Sequence, residues 1–365
     1  MRWLVTGGAG YIGAHVVTAL RAAGTEPVVL DNLSTGHARR LPAGVPLVRA
    51  DVRDGATLGG LLRRQRFDGV IHLAARKDVA ESTAHPLRYY EENLDGLRSV
   101  LHAVATSGTP SVLFSSSAAV YGTPPRSPVS ESDATTPDNA YGRTKLIGEW
   151  MLRDAAGSAG FGWCALRYFN VAGAGAPHLR DHGGTNLVPR LLRAAADGRP
   201  ATVYGTDYPT PDGTAVRDYV HVADIADAHV RAAVALHRGE ARDEILNIGR
   251  GEGASVLQMI EAVGAALGRP LPYTAAPRRA GDPAQVVASP ARIRALLGWQ
   301  ARHDLHDIVT SAAADTTTHA ATPQTATSQA AAHRARAAHR DALLTVVPEQ
   351  HPGPRSKNQV KNAQR

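Results

Sequence analysis

The stretch Thr6-Gly7-Gly8-Ala9-Gly10-Tyr11-Ile12-Gly13 decides the fold of this chain. It follows the apolar run RWLVT at 2–6 and precedes a segment, 11–23, in which apolar residues recur with helical spacing. Glycines allow a tight turn and let the backbone approach a ligand or a neighbouring helix closely. The pattern predicts a strand, a glycine turn and a helix. By itself it is weak support for a bound ligand, because such a turn is often only a turn.

The residues that follow strengthen a ligand-binding interpretation. Residues 27–30 (PVVL) predict a second strand, and Asp31 ends it, eighteen residues after Gly13. In a βαβ unit the helix N-terminus faces a pyrophosphate, and an acid at this place meets the adenosine ribose hydroxyls. An acid also repels a 2′-phosphate. The unit therefore predicts a dinucleotide site, and NAD rather than NADP as the cofactor.

Strands and helices keep alternating beyond this unit, which predicts an α/β fold with a doubly wound, Rossmann-like parallel sheet. After Asn170 the alternation loosens, and we expect a smaller C-terminal substrate-binding domain. The predicted divisions are 1–170 for the NAD-binding domain, to which some later segments return, 171–310 for the substrate-binding domain, and 311–365 for a low-complexity, disordered tail. Further strands are predicted at 47–51, 69–74, 111–115, 163–168, 201–204 and 216–221, and helices at 58–66, 93–107, 141–155, 186–197, 222–237 and 255–267.

Composition excludes several classes of protein. The 365 residues are 43% hydrophobic and 20% charged, and no run reaches the ~18 apolar residues of a membrane helix. The N-terminus lacks a secretory pattern, and Cys164 is the single cysteine, so we expect a cytoplasmic protein. Much of the net charge of +7 lies in the tail, which argues against nucleic acid. The tail histidines lack ligand spacing, so no metal site is predicted.

Two further elements carry chemistry. Tyr141 and Lys145 form a Y-x-x-x-K pair, and residues i and i+4 share one helix face. A tyrosine with a pKa near ~10 is a poor base, but a neighbouring ammonium favours its phenolate. Ser117 ends the run FSSS at 114–117, at the carboxyl end of a predicted strand, where doubly wound sheets bind ligands. We therefore expect deprotonation of a hydroxyl beside a nicotinamide.

At this point the sequence resembles the extended short-chain dehydrogenase/reductase family, and within it the enzymes that epimerise a UDP-hexose. The resemblance spans residues 1 to about 310. Its most diagnostic segments are VRDYVHV (216–222) and PRRAGD (277–282), and the others are TGGAGYIGAH (6–15), LDNLSTG (30–36), HLAARKDVAES (72–82), PLRYYEEN (86–93), FSSSAAVYG (114–122), YGRTK (141–145), LRYFNVAGA (166–174) and LNIG (246–249).

The resemblance implies NAD-dependent inversion at C4 of UDP-glucose or UDP-galactose through a transient 4-keto sugar. It assigns Tyr141 as the base, Lys145 as the group that lowers its pKa, and Ser117 as a hydrogen-bond partner of the substrate hydroxyl. It also implies a homodimer built through helices near 90–107 and 141–156. The implied NAD-binding residues are Gly7, Gly10, Tyr11, Ile12, Gly13, Asp31, Asn32, Asp51, Val52, Leu73, Ala74, Lys77 and Phe169. Those for the UDP-sugar are Ser117, Tyr141, Asn170, Asn186, Leu187, Tyr204, Arg217, Arg279 and Asp282.

Some positions depart from the family and leave alternatives open. Glu92 stands where relatives often carry an NAD-contacting asparagine, with Asn93 adjacent. Val286 stands where a larger side chain restricts the sugar pocket in some relatives, so an N-acetylated sugar is a second candidate substrate, as is a uronate. A 4,6-dehydratase would need a carboxylate pair where this chain has Ser116-Ser117-Ala118. A non-catalytic NAD-binding regulator would not need Tyr141 and Lys145.

Overall fold

The computed structural model describes residues 1–279 and 281–314. Thirteen strands occur in this part of the chain: β1 (Arg2–Thr6), β2 (Glu26–Asp31), β3 (Leu47–Arg49), β4 (Gly69–His72), β5 (Ser111–Ser117), β6 (Gly162–Tyr168), β7 (Asn170–Ala172), β8 (Ala201–Tyr204), β9 (Val216–His221), β10 (Glu244–Ile248), β11 (Gly253–Ser255), β12 (Tyr273–Ala276) and β13 (Gln285–Val286). The α-helices are α1 (Tyr11–Ala22), α2 (Gly55–Arg64), α3 (Val79–Ala84), α4 (Pro86–Tyr89), α5 (Gly96–Ser107), α6 (Ala140–Ala159), α7 (Leu187–Ala196), α8 (Val222–Arg238), α9 (Val256–Ala266), α10 (Ala291–Leu297) and α11 (Leu305–Ala313).

Seven strands form one parallel sheet in the order β10-β6-β5-β4-β1-β2-β3. The chain starts at β1, extends the sheet through β2 and β3, and then returns to add β4 on the other side of β1. This reversal is the switch point at which doubly wound sheets bind ligands, beyond the carboxyl ends of the strands. The α/β, Rossmann-like fold class predicted from the sequence is confirmed.

Alternating side chains of the strands build a core on each face of this sheet. On β2, Val29 packs in a cluster with Val17 of α1, whereas Val28 and Leu30 pack in another with Leu58 of α2. This alternation follows from the two-residue period of a strand. Continuous apolar runs such as PVVL are therefore typical of strands covered by helices on both sides.

Smaller sheets lie beyond the seven-stranded sheet in sequence. Strands β11, β9 and β13 pair with one another, β7 joins β9, and β12 pairs with β8. A separate apolar cluster, which includes Leu191 of α7, Ile260 of α9 and Val309 of α11, supports them. Strand β10, in contrast, pairs with β6 in the large sheet. The division of the chain at residues 170 and 310 stays a prediction.

Several element bounds differ from the sequence prediction for local reasons. The helix predicted at 58–66 begins at Gly55, because the Asp54 side chain caps it by accepting from the Thr57 N–H at 3.0 Å. The helix predicted from residue 93 is α-helical only from Gly96, and 90–95 are π-helical. Strands β7, β10, β11, β12 and β13 were not predicted as strands.

The predicted tail boundary also differs. Helix α11 begins after a capping box formed by Asp304 and Asp307, and it runs to Ala313, three residues into the range assigned to the tail. Ile308 and Val309 are fully buried, which anchors the helix in the core. The disorder predicted for 315–365 concerns residues outside the described part of the chain.

Candidate active site

The glycine loop closes against the ends of three strands. Gly7 has φ of +71°, and a Cβ there would lie 2.7 Å from the Ala74 backbone nitrogen. A Cβ on Gly13 would lie 2.2 Å from the Gly7 carbonyl oxygen. Helix α1 begins after Gly10, which has no side chain to cap it, so the first N–H groups of the helix remain for an anion. The predicted cofactor residues Tyr11, Ile12, Leu73 and Ala74 are grouped around this loop.

Asp31 connects the loop to the end of β2. It is buried, and its two oxygens accept hydrogen bonds from the Ala9 N–H at 2.9 Å and the Leu33 N–H at 2.8 Å. Each carboxylate oxygen can accept a second bond, so this arrangement leaves capacity for ribose hydroxyls. Next to it, Asn32 donates to Asp51 at 3.1 Å. Hydrogen bonds from Arg53 hold the pKa of Asp51 at about 2. Val52 follows Asp51, and its side chain lies close to Gly96 at the start of α5.

Ser117, Tyr141 and Lys145 meet where β5 ends and α6 begins. The Lys145 ammonium donates to the Ser115 carbonyl oxygen at 2.7 Å and lies 5.9 Å from the centre of the Tyr141 ring. Helix α6 starts with the Asn139 side chain accepting from the Gly142 N–H, which fixes the turn that carries Tyr141. The structure thus brings together the three residues that the sequence predicted as catalytic.

Burial sets the charges of this cluster. It lowers the pKa of Lys145 to about 7, although the negative charge of Glu149 acts in the opposite direction. Burial also raises the pKa of Tyr141, and a hydrogen bond with Ser117 only partly counteracts it. The sequence had suggested a lowered tyrosine pKa. The direction differs because removing the phenolate from water outweighs the stabilisation that the surrounding side chains provide.

A carboxylate that the sequence analysis missed lies beside the serine run. Glu149 accepts from the Ser116 hydroxyl at 2.5 Å and from two of the three guanidinium nitrogens of Arg167, at 2.9 and 2.7 Å. Both side chains are buried. The i+4 spacing of Glu149 from Lys145 was the signal available in the sequence. Because Arg167 binds this carboxylate at both oxygens, the Glu149 side chain is already engaged by partners within the protein.

The region of Glu92 is filled by ion pairs. Glu92 binds Arg76 at 2.6 Å and Arg88 at 2.9 Å. The amide of Asn93 bonds to the backbone of Arg76 and donates to the Thr144 hydroxyl at 3.0 Å. Both side chains therefore already have protein partners. Lys77, one residue after Arg76, is exposed.

A second group of predicted residues surrounds a cavity of about 330 Å³ lined by Leu187, Tyr204, Arg279 and Asp282. Arg217 on β9 binds Asp282 at 2.6 Å, and the Arg279 guanidinium lies 3.8 Å from the centre of the Tyr204 ring. Arg190 and Arg193 also line this cavity, and the sequence analysis did not select them. Such an excess of guanidinium groups suits a diphosphate.

Short backbone links connect the two groups. Ser117 pairs with Tyr168 in the large sheet, Phe169 follows, and Asn170 pairs with Tyr219 on β9. Phe169 is buried in one cluster with Val286, which pairs with Arg217. Asn186 precedes α7 and donates to Asp181 at 2.5 Å. Strand pairing and the ion pair between Arg217 and Asp282 therefore connect the Ser117–Tyr141–Lys145 cluster to residues that line the cavity.

Three negative findings complete the description. A larger cavity of about 450 Å³ lies against the end of α6, lined by residues such as Arg153, Trp163 and Arg242, and none of the predicted site residues lines it. Within 1–279 and 281–314, no cluster of three or more His, Cys, Asp or Glu side chains is arranged to hold a metal ion. In the same ranges, no helix has the length and apolar character needed to cross a bilayer.

The fold, the glycine loop and the Ser-Tyr-Lys cluster define a dinucleotide-dependent enzyme of the short-chain dehydrogenase/reductase type. Residues 3–249 match the NAD dependent epimerase/dehydratase family, and the chain belongs to that family. The family resemblance predicted from the sequence is thereby confirmed.

Similar proteins extend the match over most of the chain. The UDP-glucose 4-epimerase of Azospirillum brasilense is 46% identical over 317 residues, which are 85% of this chain and 90% of that protein. Among solved structures, UDP-glucose-4-epimerase from Stenotrophomonas maltophila, with bound NAD and formylated UDP-arabinopyranose, is 40% identical with a TM-score of 0.83, covering 88% and 100% of the two chains. UDP-glucose 4-epimerase from Bifidobacterium longum, in complex with NAD+ and UDP, is 35% identical with a TM-score of 0.81, covering 88% and 99%.

Proposed function

We propose that this protein is an NAD-dependent UDP-glucose 4-epimerase, which interconverts UDP-glucose and UDP-galactose. One observation carries the proposal: the Ser117, Tyr141 and Lys145 cluster is linked by β6 and β7 to a cavity lined with arginines. The cluster suits proton exchange with a sugar hydroxyl, and the cavity suits a nucleoside diphosphate. The similarity to UDP-glucose 4-epimerases over most of the chain supports the same assignment.

The residues present fit NAD. Gly7 and Gly13 let the loop pack directly against neighbouring backbone atoms, where no Cβ would fit, and the open N-terminus of α1 beside the loop favours a pyrophosphate. Asp31 favours a free 2′-hydroxyl over a 2′-phosphate. When bound, NAD supplies the acceptor and then the donor of a hydride. The remaining residues proposed to hold it are Gly10, Tyr11, Ile12, Asn32, Asp51, Val52, Leu73, Ala74, Lys77 and Phe169.

The proton chemistry belongs to the chain itself. Tyr141 takes the proton of the C4 hydroxyl as that carbon is oxidised, and returns a proton when the carbon is reduced on its opposite face. Ser117 hydrogen-bonds the same hydroxyl and Tyr141, which fixes the direction of transfer. Because burial alone raises the pKa of Tyr141, positive charge beside the ring is needed to favour the phenolate, and Lys145 supplies part of it.

The nucleotide would bind on the other side of the site. Arg217 and Arg279 face the diphosphate, with Asp282 orienting Arg217 through their ion pair. Asn170, Asn186, Leu187 and Tyr204 complete the proposed UDP-sugar site. Val286 is buried beside Phe169, and its modest size leaves UDP-N-acetylglucosamine as a second candidate substrate.

A 4,6-dehydratase is a poorer fit to the site. Elimination of water needs an acid and a base near the active-site hydroxyl. The buried carboxylate of Glu149, which accepts from the Ser116 hydroxyl, is held in a bidentate pair with Arg167. Ala118 follows Ser117 where a second acidic group would be required.

Purified protein should interconvert UDP-glucose and UDP-galactose without added oxidant or reductant. A panel with UDP-N-acetylglucosamine and UDP-glucuronate measures the sugar preference. Turnover of the uronate alone would contradict the proposed substrate, and release of a 4-keto-6-deoxy product would indicate a dehydratase.

We further propose a cytoplasmic homodimer that forms through α5 and α6. Leu87 is 80% exposed and Trp150, on α6, is 51% exposed, which is typical of a covered face in an oligomer. Light scattering on the wild type and on Trp150→Glu tests the assembly: a monomeric wild type would contradict it.

A further inference from the structure

The cavity beside α7 contains more cationic groups than the two arginines assigned to the diphosphate. Arg190 lies in the first turns of α7, and its guanidinium is 5.8 Å from the centre of the Tyr204 ring. Arg279 approaches the same ring at 3.8 Å. Two guanidinium groups, one from α7 and one from the segment after β12, therefore approach the Tyr204 ring.

Arg190 differs from Arg199 and Arg217 in its partners. Arg199 binds Asp197, and Arg217 binds Asp282. Within the described residues, Arg190 has no carboxylate partner, and its contact is with Tyr204. A hydrogen bond from Arg190 first, and one from Arg279 second, hold the pKa of Tyr204 below its usual value. The phenol oxygen thus marks where these cations converge.

The helix itself makes this position unfavourable for a cation. The first turn of α7 contains no acidic residue, and Asn186 makes no side-chain hydrogen bond to cap it. A helix N-terminus carries partial positive charge and disfavours a nearby cation. A bound anion would reverse that cost by neutralising both the helix N-terminus and the guanidinium. A guanidinium group beside an uncapped helix N-terminus therefore favours a bound polyanion in this cavity.

We propose that Arg190 is a third substrate-binding arginine, whose guanidinium contacts the diphosphate of the UDP moiety together with Arg217 and Arg279. This inference rests on the proposed function, because it assumes a UDP-sugar in the cavity. Arg190 reaches the nucleotide and not the reacting carbon. Loss of the Arg190 guanidinium should therefore weaken the binding of substrate and of product to the same extent, and leave the rate of the chemical step unchanged.

Arg278 offers a matched control. Its guanidinium stacks on another tyrosine, Tyr208, at 4.2 Å, and it pairs with Asp207 at 2.7 Å. Arg278 does not line the cavity. Replacing it removes the same charge and the same kind of ring contact without touching the proposed diphosphate site.

The experiment measures Kd for UDP, UMP and uridine by calorimetry, and KM and kcat for UDP-glucose, in Arg190→Gln, Arg190→Lys and Arg278→Gln. For Arg190→Gln we expect Kd for UDP and KM to rise about tenfold with kcat within twofold, the size of one lost charge-assisted hydrogen bond. Arg190→Lys should recover part of the loss, uridine should be unaffected, and Arg278→Gln should resemble wild type.

Several results would overturn the inference. An unchanged Kd for UDP in Arg190→Gln would contradict a contact between Arg190 and the diphosphate. An equal loss of affinity for uridine would contradict it as well. A lowered unfolding midpoint for Arg190→Gln, without recovery of UDP affinity in Arg190→Lys, would reduce Arg190 to a structural role. If the wild type binds UDP but does not turn over UDP-glucose, the proposed function fails while the UDP titrations still decide the role of Arg190.

Discussion

The glycine loop at 7–13 and the arginine-lined cavity beside α7 are both suited to phosphate groups, and they are built in different ways. The loop presents backbone N–H groups, and its glycines lie so close to other backbone atoms that no Cβ fits at Gly7 or Gly13. The cavity presents side chains from α7 and β8 together with Arg279 and Asp282, and Asp282 is joined by an ion pair to Arg217 of β9. The loop depends on local sequence, whereas the cavity depends on long-range folding.

This difference predicts how each region tolerates change. The glycine loop should not tolerate even a small substitution, because one added methyl group collides with main-chain atoms that cannot rotate away. A cluster of guanidinium groups loses affinity in steps, since each side chain contributes its own hydrogen bonds. The proposed catalytic cluster of Ser117, Tyr141 and Lys145 depends instead on burial, which shifts the pKa values of Tyr141 and Lys145.

The largest effect should come from the residue that exchanges the proton. Tyr141→Phe removes the hydroxyl but keeps the ring, so turnover should fall by about 10²- to 10⁴-fold, the usual contribution of a general base. Bound NAD and the unfolding midpoint should stay near wild type. Turnover within tenfold of wild type would remove Tyr141 from the mechanism.

The next effect tests the glycine loop. Gly13→Ala places a Cβ 2.2 Å from the Gly7 carbonyl oxygen, so the loop must move and NAD binding should weaken by at least about tenfold, with a lower unfolding midpoint. Gly157→Ala, on α6, meets nothing within 4 Å and should be neutral or slightly stabilising. NAD content after purification and thermal unfolding measure both variants. Equal NAD content and equal unfolding midpoints in the two variants would contradict the role of close backbone packing in the glycine loop.

A smaller and graded effect is expected in the cavity. Arg217→Ala removes a cation and leaves Asp282 without its ion pair, so KM for UDP-glucose should rise about 10- to 100-fold with NAD binding unchanged. Arg217→Ala/Asp282→Ala should recover part of that loss, because the repelling carboxylate is gone. Arg231→Ala, which breaks an ion pair with Asp227 elsewhere, is the control. A drop in kcat without a change in KM would contradict a binding role.

The last effect concerns the dependence of stability on pH and not turnover. Burial lowers the pKa of Lys145 from 10.5 to about 7, so between these pH values the unfolded chain binds more protons than the folded chain. The free energy of unfolding of wild type, relative to Lys145→Met, should therefore rise as pH increases from 7 towards 10.5. Below pH 7 both states are protonated and the burial penalty is fully present. Urea unfolding at several pH values measures this, with the exposed Lys77→Met as control, and a difference that is flat with pH would contradict it.

Most of the large sheet could be predicted because its signals are local. Apolar runs, the glycine turn and helix-spaced segments identify β1, α1, β2 and their successors within a few residues. The short strands β7, β11 and β13 could not be predicted, since two or three residues carry no period and pair only after the chain has folded. Strand β10 pairs with β6, which lies about eighty residues earlier in the sequence, and no local pattern predicts such a distant pairing.

The site divides in the same way. The sequence alone determined the dinucleotide loop, the acid Asp31 and the Tyr141–Lys145 spacing, because each depends on neighbours a few residues apart along one turn, strand or helix. The tertiary structure decided that Glu149 forms an ion pair with Arg167 and that burial raises the pKa of Tyr141. It also decided that Arg190 and Arg279 both approach Tyr204. Dielectric environment and contacts between distant segments exist only in the folded chain, so these properties had no counterpart in the sequence pattern.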